Sequence, residues 1–113
     1  MSDYDGIDIY CDLIIPRKID VELVKETDLA LAFHHTRPNW PVHIVVTTKE
    51  HVPSLLELDE SSELARELLY LVKEVAKNIK DQKGNCRVIT NLGEYQDSKH
   101  LHVHIVSGAE NKS

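Results

Sequence analysis

The chain has only two cysteines, Cys11 and Cys86, far apart and with no CxxC pair. It therefore lacks a disulfide framework and a paired-cysteine metal motif, and unpaired thiols suit a reducing compartment. A surplus of cations is also missing. Thirteen Lys+Arg oppose nineteen Asp+Glu, for a formal net charge of −6. This argues against a nucleic-acid groove binder, which needs a basic stripe to displace counterions. A small phosphorylated ligand stays possible, because a few backbone N–H groups can hold one phosphate. Apolar runs such as Leu13-Ile14-Ile15 and Ile44-Val45-Val46 are far shorter than the roughly 20 residues a bilayer span needs, so no membrane partner is expected. Asp3, Asp5, Asp8 and Asp12 stand where a secretion signal would place basic and then apolar residues, and a cytoplasmic location is the expectation. Internal repeats and low-complexity segments are absent. What remains is an ordinary globular composition, 42% hydrophobic and 28% charged, at a length that suits one domain. The expected domain is residues 1–113, with an ordered core over about 7–108 and polar, mobile ends at 1–6 and 109–113.

Residues 21–27 and 29–35 read as two short strands joined at Asp28. Two prolines within Thr36–Pro41 make that stretch a loop. His43–Thr48 is rich in β-branched residues and reads as a packed strand. Leu64, Leu68, Val72, Val75 and Ile79 recur every three or four residues with charges between them, which predicts a helix over 61–82. Ser61 or Ser62 can cap its start and Gly84 can follow its end. Residues 86–91 and 100–106 read as further strands, and 7–19 is ambiguous between strand and helix. Strands gathered around one helix, without strict alternation, indicate an α+β domain with a five-stranded antiparallel sheet.

The chemistry is concentrated in His100-Leu101-His102-Val103-His104. On a strand these side chains alternate, so the three histidines share one face while Leu101, Val103 and Ile105 share the other. Three readings compete. The histidines could simply decorate an exposed face. They could hold zinc, but His100 and His104 would lie about 13 Å apart along a strand, so an ion would take two of them and recruit Cys11 or His51. Or one imidazole could act as a nucleophile toward phosphorus, its tautomer and proton supply arranged by the other two. The last reading uses all three residues and requires no metal and no cofactor.

The order of motifs resembles the histidine triad (HIT) superfamily, and its Hint-like branch in particular. The similarity runs from Ile9-Tyr10 through Leu31-Ala32-Phe33-His34, Pro41-Val42-His43-Ile44-Val45-Val46 and Lys49-Glu50-His51-Val52. It continues at Asn91 and ends on the triad with His104-Ile105-Val106-Ser107-Gly108. The resemblance implies cleavage of a nucleoside phosphoramidate or similar substrate through a nucleotidyl-histidine intermediate, in a homodimer whose two sheets join. Alternatives are a nucleotide-binding or interaction module with weak turnover, or a dinucleoside polyphosphate hydrolase. By position, His102 matches the nucleophile and His104 the histidine at the phosphate and leaving group. His100 and His43 match the pair that supports the nucleophile from behind. Asn91, Gln96 and Ser98 match the phosphate side. Tyr10, Ile14, Phe33, His34 and His35 match the nucleoside side. Ile14 could equally be core, Asn91 a turn-former before Gly93, and His51 a surface residue.

The chain also departs from the pattern. His34-His35 stands where the Hint-like branch has His-Asp, so the carboxylate that grips the ribose hydroxyls is missing. The loop between Asn91 and His100 is shorter and carries Asp97. For assembly, Leu69, Tyr70 and Leu71 lie at or beyond the flanks of the main helical stripe, where apolar groups suit a twofold interface.

Overall fold

The structure, a computed structural model, describes residues 10–16 and 20–110, without the side chains of Asp12 and Leu13. Most of the expected mobile ends (1–6 and 111–113) and part of the ambiguous segment (7–9 and 17–19) lie outside the described residues. Five strands form one antiparallel sheet: β1 (Leu23–Glu26), β2 (Ala30–His34), β3 (Val42–Thr48), β4 (Arg87–Ile89) and β5 (His102–Ser107). Their spatial order is β1-β2-β3-β5-β4, which puts β3 and β5 side by side in the middle. Helix α1 (Glu63–Lys83) connects β3 to β4. The described part of 7–19 resolves to a single wide turn at Tyr10–Ile14, closed by the Ile15 N–H on the Tyr10 carbonyl at 2.8 Å.

Pattern and capping chemistry explain α1. The Ser62 hydroxyl accepts the Ala65 N–H at 3.1 Å, and Gly84 ends the helix at φ +86°, where a side chain would be strained. Its apolar stripe buries Leu68, Leu71, Val75 and Ile79. Leu71, expected at a flank, is therefore core: it packs into the stripe and is fully buried. Leu69 and Tyr70 are exposed as expected, with the Tyr70 hydroxyl receiving the Lys25 ammonium at 3.1 Å.

Strand alternation then sorts the sheet into two faces. Ala30, Ala32, Ile44, Val46, Val103 and Ile105 meet α1 in an apolar layer. The opposite face carries Leu31 and Phe33 on β2, Val45 on β3 and the histidines of β5; Tyr10 and Ile14 of the N-terminal turn pack over it. A Cβ on Gly108, at φ +93°, would come within 2.7 Å of the Pro41 ring, so the exit of β5 sits directly against the entry of β3.

Candidate active site

Pairing of β3 with β5 sets His43 opposite Val106 and Val45 opposite His104, so both histidines project from the same face of the central strands. His102 donates its Nδ1 proton to the carbonyl of His100, two residues back, at 2.7 Å. That bond leaves the proton off Nε2 of the neutral ring. The Tyr10 ring stacks on His102 with centroids 5.0 Å apart, and His102 is buried. The triad face is thus covered by the N-terminal turn and does not open broadly to solvent.

A second chain of hydrogen bonds fixes His104. The backbone N–H of Asn39 donates to Nδ1 of His43 at 3.0 Å, which puts the His43 proton on Nε2. His43 Nε2 is 2.8 Å from His104 Nδ1 and donates to it, so His104 carries its own proton on Nε2. Side by side stand one imidazole with a lone pair and one with an N–H, their rings edge-to-face with centroids 4.9 Å apart. Burial, reinforced by His35 and His104, pushes the pKa of His43 down to about 3. Burial and the neighbouring rings of His102 and His35 lower His104 to about 4. Both rings are therefore neutral donors at physiological pH.

His43 was expected behind His102, but its Nε2 reaches His104, the next histidine along β5. His100 supports His102 through its backbone carbonyl, while its fully buried ring turns away and donates from Nε2 to the Thr48 carbonyl at 2.7 Å.

A cavity of about 200 Å³ opens beside the pair, lined by Tyr10, Ile14, Phe33, His35, Thr36, Val45, Asp97, Ser98, His102 and His104. It gathers seven of the twelve predicted positions, from the strands, the N-terminal turn and the loop before β5. Ser98 stands out, because its hydroxyl is buried with no hydrogen-bond partner. Others fall elsewhere. His34 points out of the sheet toward Glu22 at 3.7 Å. The Gln96 side-chain amide donates to the Pro53 carbonyl at 2.7 Å and so anchors the loop instead of facing the cavity. Asn91 lies just past β4 and is not on the cavity wall. Sequence reasoning missed Thr36, Val45 and the tautomer-setting amide of Asn39. The first follows from the 35–41 loop folding back, and the amide has no side-chain signature at all.

Among the described residues, two groups of side chains come close enough to meet a cation. Cys11 Sγ and ring nitrogens of His51 and His100 lie within 4.8 Å of one another, so the sequence's provisional grouping of these residues does assemble. The His100 Nε2–H bond to Thr48 leaves Nδ1 as a lone pair toward Cys11 Sγ, 3.4 Å away. A thiolate and two imidazoles form a borderline-soft donor set of the kind zinc accepts. His35, His43 and His104 also lie within 4.8 Å of one another. There, however, Nδ1 of His35 and Nδ1 of His43 each accept a backbone N–H. The protons sit on both Nε2 atoms and block convergence on an ion.

Residues 16–111 match the model of the HIT domain. The chain is 39% identical over 98 residues to an uncharacterised HIT-like protein of Synechococcus elongatus, covering 84% of this chain and 85% of that one. Among solved structures it resembles a histidine triad protein from Clostridium difficile, with TM-score 0.76, 31% identity and 97% of each chain covered. It also resembles a HIT family hydrolase from Legionella pneumophila, with TM-score 0.77, 26% identity, and 91% and 94% of the two chains covered. The chain belongs to the HIT family, and its five-stranded antiparallel sheet with one long helix is the HIT fold.

Proposed function

We propose that the protein is a nucleotide hydrolase of the histidine triad type, acting on a nucleoside phosphoramidate or a similar nucleotidyl compound. The observation that carries this reading is the proton order of the two cavity histidines, with a lone pair on His102 Nε2 beside an N–H on His104 Nε2. His102 Nε2 attacks the phosphorus, an N–P bond forms, and the bond from phosphorus to the leaving amine or oxygen breaks. The proton on His104 Nε2 goes to the leaving group as its electron pair departs. Water then attacks the same phosphorus, returns a proton to His104 and expels His102, releasing the nucleoside monophosphate. The orphaned Ser98 hydroxyl supplies a donor to a phosphoryl oxygen, where an electrically complementary group lowers the barrier. Tyr10, Ile14 and Phe33 offer an apolar wall for the nucleoside. Gln96 acts by holding the loop, and Asn91 is left without a ligand role.

The rivals differ in what they need. A dinucleoside polyphosphate calls for room and positive charge for a second nucleotide, whereas this cavity is small and carries Asp97. A binding module without turnover needs no adduct. The test is rapid-quench mass spectrometry with adenosine 5′-phosphoramidate. An adenylyl group on His102, absent from His102→Ala, is the expected result; ligand binding without any adduct would favour the module.

For assembly we propose a homodimer joined along β4, a three-residue edge strand whose Val88 is exposed. Light scattering at micromolar concentration should give twice the chain mass, and a monomer mass would refute it. A cytoplasmic location accords with two cysteines that form no disulfide. No helix among the described residues is long and apolar enough to cross a membrane.

A further inference from the structure

The cavity beside the two reacting histidines is electrostatically one-sided. Among the described residues that line it none is lysine or arginine, and Asp97 is the one carboxylate. Asp97 stands one residue before Ser98, whose orphaned hydroxyl is the donor assigned above to a phosphoryl oxygen. Its charge also reaches His104. Burial and the rings of His102 and His35 lower that pKa to about 4, and the Asp97 carboxylate acts in the opposite sense. The segment is braced on both sides. Gln96 Nε2 donates to the Pro53 carbonyl at 2.7 Å, and the Lys99 ammonium donates to the carbonyls of Gly93 and Gln96 at 2.6 and 2.8 Å. A sphere with the cavity's volume of about 200 Å³ is only about 7 Å across, so a phosphoryl group anywhere beside His102 feels Asp97.

We infer that Asp97 is a charge filter on the reacting phosphoryl group, favouring a phosphorus that bears one negative charge over a phosphorus that bears two. This inference rests on the nucleotide reading above and narrows its substrate class to nucleotidyl amides and esters, whose substituted phosphorus keeps a single charge. Hydrolysis breaks the bond from phosphorus to the substituent and puts an oxygen from water in its place. That oxygen ionises above about pH 6. The phosphoryl group therefore gains its second negative charge in the event that ends turnover. The carboxylate repels substrate and product alike, but the product twice as strongly. Because Asp97 is exposed, water and salt screen the repulsion to about three- to tenfold in affinity per added charge. A cation in the same place would do the reverse and hold the nucleoside monophosphate as an inhibitor.

The experiment is calorimetric titration of the whole protein, at about pH 7.5, with three ligands that differ in charge at the 5′ end. These are 5′-O-sulfamoyladenosine, which is neutral, the methyl ester of AMP, with one charge, and AMP, with two. Asp97→Asn should leave the sulfamate within about twofold, tighten the methyl ester about three- to tenfold and tighten AMP about tenfold or more. The inhibition constant of AMP against turnover of adenosine 5′-phosphoramidate should fall with its dissociation constant. Asp97→Glu keeps the charge and should keep the wild-type ranking. Asp81→Asn, on α1 across the sheet, alters the net charge by the same one unit and should change none of the three. An AMP affinity that Asp97→Asn leaves unchanged overturns the inference. So do equal changes for all three ligands, which would assign Asp97 to loop shape, or an equal gain from Asp81→Asn. Each of these results leaves the nucleotide reading standing if AMP binds. Failure of every ligand to bind would instead overturn that reading, and this inference with it.

Discussion

The two faces of this sheet use the same strands to opposite ends. Toward α1, Ala30, Ala32, Ile44, Val46, Val103 and Ile105 form a dry layer against Leu71, Val75 and Ile79, where burial alone accounts for the choice of residue. Toward the N-terminal turn, the alternate positions of β3 and β5 carry imidazoles whose protons are placed one by one, by backbone groups at His43 and His102 and by the His43 ring at His104. The cluster on the first face is built of apolar side chains; on the second one buried hydroxyl is left unsatisfied beside a cavity. One face is built to be stable and the other to be completed by a ligand.

The largest effect should come from the imidazole face and leave stability nearly untouched. His102→Ala should lose on the order of 10³-fold or more in turnover of adenosine 5′-phosphoramidate, and His104→Ala about 10²-fold, with circular dichroism unchanged. The mirror experiment is Leu71→Ala on the dry face. It should cost about 2–5 kcal/mol of stability in urea, while turnover per folded molecule stays at the wild-type level. A large drop in activity there would mean that the faces are not separable.

Acid provides a third test. His43 and His104 titrate at about 3 and about 4 in the folded protein, below the ordinary histidine value of 6.5. The unfolded chain takes up those protons near pH 6.5 and the native one does not, so the stabilisation is complete above about pH 6.5 and is lost as pH falls toward 4 and 3. Urea midpoints should decline across that window, by up to about 1 kcal/mol per pH unit per ring. Replacing either ring by a non-titrating residue should flatten the decline. The smallest effect is expected at Ser98. Ser98→Ala removes the orphaned hydroxyl, so stability should hold or rise by up to about 1 kcal/mol, while nucleotide affinity falls about two- to tenfold. A clear loss of stability would mean that the hydroxyl already has a partner.

How much of this was legible in the sequence follows the same division. The dry face was read almost completely, because periodicity is a direct record of burial; Ser62, Gly84 and the stripe of α1 fell within a residue or two of their places. Leu71 was misassigned because stripe and flank differ by one helical step. On the other face, His102, His104, Phe33, Tyr10, Ile14, Ser98 and His35 were identified by pattern and resemblance, and the cavity gathers them. What could not be read was direction. Whether His43 reaches His102 or His104, whether Gln96 turns inward or to Pro53, and where the Asn39 amide points all depend on register and loop path, which composition does not encode.

Trp40, the only tryptophan in the chain, stands edge-on to His43 with centroids 5.1 Å apart and planes at 82°. The molecule thus carries its own optical reporter at the far end of the proton relay. An indole in contact with an imidazole loses emission when that ring becomes cationic, so Trp40 fluorescence registers the charge on His43 without any label. Excited selectively at its red edge during an acid titration, it reads the charging of His43 directly as pH falls toward 3.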